Sequence, residues 1–313
     1  MGEFVSRDVL IAAAAQLGPV QPGVSRDDVI GRLVVLLEDA AAQAATLVLF
    51  PEVALTPFFA HWSMNDDELD AYFEPTFPNA TLGPLLDRAR ELGVAFCIGY
   101  AELDVVDGER RRFNAAKLFG PDGAQVGHYR KIHLPGYREP QPDQPFQNLE
   151  KRYFQVGDLG LPVWDLLDAR IGMMICNDRR WPETYRLLGL QGGEITLIGY
   201  NTPRTNPALP ESDRLADFHN HLSMQAGAYQ NGMWVVGAAK AGEEAGVDQI
   251  GGSCIISPAG EVIAVASTLG DEVVVGELDL VLARRYQRRL LDFATNRQPH
   301  LYGAIASAAE VEP

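Results

Sequence analysis

Ile171-Gly172-Met173-Met174-Ile175-Cys176-Asn177-Asp178-Arg179-Arg180-Trp181-Pro182-Glu183 passes in one short stretch from an apolar run to the start of a helix. The run through Ile175 reads as a buried strand that stops at Cys176. Pro182 suits the first helical turn, where its missing N–H costs nothing, and the helix should reach Leu190. A strand that delivers a polar residue to a helix start is the repeating unit of α/β folds, and residues just past the carboxyl ends of such strands line the site. The same situation recurs twice. Thr46 to Phe50 is a short apolar strand followed by Pro51-Glu52, and Lys131 closes the second strand of a hairpin.

Outward from these points the chain alternates strand and helix. Val9 to Gln16 reads as a buried strand. Ser25 caps a helix with acids in its first turn that runs to about Ala45. Leu82 to Leu92 is a second helix with Gly93 as its cap, followed by a strand from Val94 to Tyr100. Phe113 to Phe119 and Ala124 to Ile132 form a hairpin around Pro121-Asp122-Gly123. Ile195 to Ile198 and Met233 to Ala238 are strands, with a helix over Glu211 to Gln230 between them. Ser253 to Ser257 and Glu261 to Ala266 make a second hairpin. The expectation is an α/β fold with a mixed sheet or two sheets. No linker or repeat divides the chain, so residues 1–313 read as one domain. The unpatterned stretch from Pro135 to Gly160 is long enough to suggest function.

Composition narrows the chemistry. The net charge of −16 argues against nucleic acid or an anionic membrane as partner. No apolar stretch reaches the roughly 18 residues of a membrane span. Three widely spaced cysteines (97, 176, 254) form neither a disulfide framework nor a zinc pattern, and suit a reduced, cytoplasmic setting. The N-terminus lacks the features of a signal peptide. Met1-Gly2…Ser6 formally matches an acylation motif, which we set aside. Six scattered histidines suggest no metal site, and phosphate-loop and serine-elbow motifs are absent.

A carboxylate, an ammonium and a thiol at strand ends make a set for acyl transfer. Cys176 would be the nucleophile and Glu52 its base. Lys131 would favour the thiolate and, with the Asn177 backbone N–H, hold an oxyanion. Cys97 and Cys254 lie inside apolar strands and read as structural. Of Arg179 and Arg180, one reads as a substrate anchor and the other as scaffold, paired with Asp178 or Glu183; position alone does not say which.

Phe50-Pro51-Glu52, Tyr129-Arg130-Lys131-Ile132-His133-Leu134, the segment from Met174 to Glu183 and Tyr229-Gln230-Asn231-Gly232 resemble the carbon–nitrogen hydrolase (nitrilase) superfamily. The likeness spans about Val9 to Tyr302. Leu149-Glu150-Lys151-Arg152-Tyr153-Phe154 and Gly199-Tyr200-Asn201-Thr202-Pro203 are similar to its N-carbamoyl-D-amino-acid amidohydrolase branch. The resemblance implies a four-layer α-β-β-α sandwich, assembled as homodimer or homotetramer, that needs no cofactor. It implies a Glu52, Lys131, Cys176 triad with Glu150 as a second acid. It also implies that Arg179, Arg180, Asn201, Thr202 and His133 meet a small N-carbamoyl amino acid. At one position the likeness breaks, because Asn148 stands where members of that branch carry a histidine. Sibling reactions remain as alternatives: β-ureidopropionate, carbamoyl-polyamine, aliphatic amide or nitrile hydrolysis. A catalytically inactive assembly partner is another.

Overall fold

The computed structural model describes residues 8–308. The Met1-Gly2…Ser6 motif lies outside them. The strands are β1 (Val9–Gln16), β2 (Leu47–Leu49), β3 (Ala95–Val106), β4 (Glu109–Phe119), β5 (Gln125–Arg130), β6 (Val163–Leu166) and β7 (Ala169–Ile175). They continue with β8 (Ile195–Tyr200), β9 (Trp234–Ala239), β10 (Ala241–Glu244), β11 (Val247–Ile250), β12 (Cys254–Ile256), β13 (Val262–Val265) and β14 (Glu272–Asp279). The first six helices are α1 (Arg26–Ala42), α2 (Asp66–Asp70), α3 (Gly83–Leu92), α4 (Glu150–Tyr153), α5 (Pro182–Leu190) and α6 (Ala216–Asn231). Two six-stranded sheets run β14-β1-β2-β3-β4-β5 and β13-β12-β9-β8-β7-β6, and β10 pairs with β11 alone.

The layers follow from which face each strand buries. In β1, Ala12 and Ala14 join the core between the sheets, while Ala13 and Ala15 pack with α1 and α3. Leu47 and Leu49 point inward, and Val48 joins the helix side. Strands covered on both faces must be apolar throughout, which is how these runs read in the sequence. On the far side Tyr185 and Leu188 of α5 and Met224 and Ala228 of α6 close the second sheet. The result is a four-layer α-β-β-α sandwich.

Several ends fall where local chemistry puts them. Ser25 accepts from Asp28 N to cap α1, and Gly93 takes the left-handed conformation that ends α3. Other features carry no comparable signal in the sequence. β3 and β4 continue into a long hairpin turned at Asp107-Gly108, both at positive φ. The outer half of that hairpin is charged, with Leu103 opposite Arg112 and Asp104 opposite Arg111, so no apolar pattern marks it. β6 and β7 join through Leu167 and Asp168, both at positive φ without a glycine. Residues 210–215 form a 3-10 turn, not the start of α6.

Both sheets press on the backbone of Pro51-Glu52. A Cβ at Gly99 in β3 would stand 2.6 Å from Glu52 Cα, and one at Gly199 in β8 would stand 2.8 Å from Glu52 N. No side chain fits at either place. Glycines from opposite sheets therefore hold the backbone of Glu52 between them.

Candidate active site

The carboxyl ends of β2, β5, β7 and β8 converge on one buried centre. Glu52 is fully buried. Its Oε1 accepts from Lys131 Nζ (2.7 Å) and Asn114 Nδ2 (2.6 Å), and its Oε2 from Asn201 N (2.8 Å). Asn201 Nδ2 donates to the Glu52 carbonyl at 2.9 Å, so side chain and backbone are both held. Val53, next in the chain, takes φ +44°. That is a costly conformation for a β-branched residue.

Lys131 follows β5 and also donates to Glu150 Oε2 at 2.6 Å. Burial pushes its ammonium down, but Glu150 and Glu52 outweigh burial and hold it above the ordinary lysine value. Glu150 opens α4 and is buried. Burial foremost pushes its carboxyl up to about 7, Lys131 opposes, and Glu52 adds to the rise. One cation thus sits between two acids, and a proton retained by Glu150 brings the cluster toward neutrality.

A raised folded value means the folded state binds that proton more tightly than the unfolded chain. The stabilisation it brings is full below the ordinary value near 4.5 and is lost as pH rises to about 7. We expect the Tm advantage of wild type over Glu150→Gln to shrink across that window in a pH series of thermal melts. A difference constant with pH would overturn the assignment.

Cys176 lies at φ +46° at the start of the 3-10 turn Cys176–Arg180. Like Val53, it is held in a sparsely populated region, a form of strain that gathers at functional sites. Its Sγ donates to the Asn201 carbonyl at 3.3 Å and stands 3.9 Å from Thr202 Oγ1. Burial first and Glu52 second raise its thiol, while Lys131 and Arg179 oppose them. The net direction is up, so the resting sulfur is a thiol and its proton must leave as it attacks.

The turn is locked by Asp178, which sequence reading considered only as a partner for an arginine. Neither neighbouring arginine pairs with it. Its carboxylate accepts from Tyr129 Oη (2.7 Å), Ile175 N (3.0 Å) and His133 N (2.9 Å), and also meets His133 Nδ1 at 2.9 Å. An acid two residues after a candidate nucleophile is the signal the sequence offers for this role.

A cavity of about 290 Å³ opens over Cys176. Glu150, Asn177, Arg180, Asn201 and Thr202 line it, as do Phe58, His61, Tyr137, Phe146 and Asn148. Two expected substrate contacts do not reach it. His133 is tied to Asp178 and stacked on Trp181 (4.9 Å, 14°), facing a separate cleft. Arg179 is enclosed behind the nucleophile. It donates to the Cys176 carbonyl (2.7 Å), Thr202 Oγ1 (2.9 Å) and Asn220 Oδ1 (2.9 Å), and lies over the Tyr200 ring at 4.5 Å. Its guanidinium also stands 3.6 Å from Cys176 Sγ. Arg179 is thus a buried prop for the thiol and Thr202, whereas Arg180 faces the cavity and forms no hydrogen bond or ion pair among the described residues. Among those residues no group of three or more His, Cys, Asp or Glu is placed to hold a metal ion. No helix among them is long and apolar enough to cross a membrane.

Residues 11–288 match the family model described as carbon-nitrogen hydrolase. The chain belongs to the carbon–nitrogen hydrolase family. It is similar to a Pyrococcus abyssi protein named nitrilase, 34% identical over 273 residues that cover 85% of this chain and 90% of the relative. It is 29% identical to an Arabidopsis thaliana N-carbamoylputrescine amidase over 286 residues, covering 86% and 87% of the two chains. The crystal structure of a carbon–nitrogen hydrolase from Helicobacter pylori G27 superposes with a TM-score of 0.81 at 23% identity, over 96% of this chain and 99% of that one. That agreement shows the carbon–nitrogen hydrolase fold.

Proposed function

We propose that this carbon–nitrogen hydrolase cleaves N-carbamoyl amino acids, of D configuration as the branch likeness implies, to the amino acid, ammonia and carbon dioxide. Cys176 Sγ attacks the ureido carbonyl and Glu52 accepts the thiol proton. Lys131 has three N–H bonds, two of them engaged by Glu52 and Glu150, which leaves one for the oxyanion. The Asn177 backbone N–H is the second donor. Nitrogen departs with a proton from Glu52, and water then hydrolyses the acyl-cysteine and restores the thiol.

One observation carries the choice of substrate: the unpartnered Arg180 guanidinium on the cavity wall. In a chain of net charge −16 it supplies the local cation that a substrate carboxylate needs. A carbamoylated polyamine would meet that same cation as a repulsion. Hydrolysis of a ureido group also fits the relative named for N-carbamoylputrescine.

Arg180→Ala should lower kcat/KM on an N-carbamoyl amino acid about 10- to 100-fold, the scale of one charged hydrogen bond. The same variant should change little on the matching carbamoylated amine that lacks the carboxylate. Equal losses on both substrates would remove the basis for the carboxylate anchor. A panel of D- and L-N-carbamoyl amino acids assayed for ammonia tests the configuration.

A further inference from the structure

One buried polar side chain on the cavity wall has no role in the chemistry above. His61 ends the short turn Phe59–His61 and is 4% exposed. Its ring stands edge-on to Phe58, with centroids 4.9 Å apart at 72°, and tilted against Phe146 at 5.1 Å. Two strips of backbone hold this wall together. Gln147 N donates to the His61 carbonyl, and Leu149 N donates to the Ala60 carbonyl. Neither ring nitrogen of His61 bonds to any described residue, and the residue lines the cavity. Buried polar groups are nearly always partnered, so a free imidazole facing a cavity points to a ligand atom. Burial first, and then the Lys240 cation, push the ring down to about 3. It is therefore neutral, with one N–H donor and one nitrogen acceptor to offer.

An N-carbamoyl amino acid carries three groups on its α-carbon. Cys176 takes the ureido group and Arg180 the carboxylate, which leaves the side chain. Phe58, His61 and Phe146 make one part of the remaining wall aromatic, and aromatic rings at about 5 Å spacing favour a further planar group set edge-on or offset. An anionic side chain there would lose its hydration without gaining a counter-ion, because the nearby Lys240 is already bound to Glu244 and the Thr56 carbonyl, and a cationic one would be repelled by that same ammonium.

We propose that Phe58, His61 and Phe146 form the subsite for the substrate's side chain, and that the His61 imidazole hydrogen-bonds a polar atom at the edge of an uncharged planar group. The inference rests on the reading that the substrate is an N-carbamoyl amino acid.

The test compares N-carbamoyl derivatives of phenylalanine, of its pyridyl isostere and of lysine, with wild type, His61→Phe and His61→Gln. Phenyl and pyridyl rings share shape and differ by one acceptor atom. Wild type should favour pyridyl over phenyl in kcat/KM by about fivefold or more, the scale of one neutral hydrogen bond, and should act poorly on the lysine derivative. His61→Phe should bring the pyridyl-to-phenyl ratio to about one through KM, leaving kcat on the phenyl substrate within about threefold. His61→Gln keeps a donor and should retain part of the preference, and it stands in if the phenylalanine variant fails to fold. A ratio unchanged in both variants, or equal kcat losses on phenyl and pyridyl substrates, overturns the subsite alone. Absence of turnover on every carbamoyl amino acid by wild type overturns the functional reading and the subsite with it. Selective loss with Arg180→Ala, alongside a ratio indifferent to His61, separates the two.

Discussion

Cys176→Ala is expected to abolish turnover, a fall on the order of 10⁵-fold, with the fold retained. Three buried cysteines are present, and burial raises the thiol of each. For Cys254 it does so up to about 12, with only Arg179 in opposition, and for Cys97 burial is the sole cause. Cys176 differs in its neighbours. Lys131 and Arg179 favour its anion, Glu52 is at hand as a base, and its strained backbone faces the cavity. A thiol that is neutral at rest and ionises only on attack is also protected from oxidants, which react with the thiolate. Intact-mass and peptide analysis of enzyme quenched during turnover should show the acyl group on the Cys176 peptide. Normal rates in Cys176→Ala, or an adduct on Cys97 or Cys254, would refute the assignment.

For Glu52→Gln we expect kcat to fall by about 10²- to 10⁴-fold, the usual contribution of a general base. The geometry adds a second effect. Glu52 receives three donors, Lys131 Nζ and Asn114 Nδ2 on one oxygen and Asn201 N on the other. An amide has only one oxygen, so its NH₂ must oppose a donor whichever way it is turned. The variant should therefore also lose about 1–3 kcal/mol of stability from the unsatisfied group. Steady-state kinetics with thermal melts on the same preparation separate the two effects. A variant with near-normal kcat would remove Glu52 from the chemistry, whatever its stability.

What was legible in the sequence follows burial. β1, β2 and β7 are covered on both faces, so nearly every residue in them is apolar and the runs stand out. The outer ends of β3 and β4 are held by charge pairs such as Arg111–Asp104, and charge reads as loop. The Leu167–Asp168 turn has no glycine to announce it. Glu52, Lys131 and Cys176 could be picked out because each follows the carboxyl end of a strand. Arg179 and Arg180 could not be told apart, because they lie one residue apart on a 3-10 turn whose phase is set by Asp178, and Asp178 is positioned from β5 and from the loop after it. His61 was invisible for a similar reason. Its place on the cavity wall depends on contact with Gln147, far along the chain.

The glycine pair at positions 99 and 199 makes the gap between the sheets the ruler against which the base is set. Gly99 belongs to one sheet and Gly199 to the other, with Glu52 between them. A methyl group at either position would stand 2.6 or 2.8 Å from a backbone atom of Glu52, so the layers would have to part to admit it. The carboxylate has no such latitude, since an ångström of misplacement at a reacting group can cost about a hundredfold in rate. Alanine at either position should therefore lower the melting temperature and kcat together. Variation at this seam is filtered by reactivity and by folding at once.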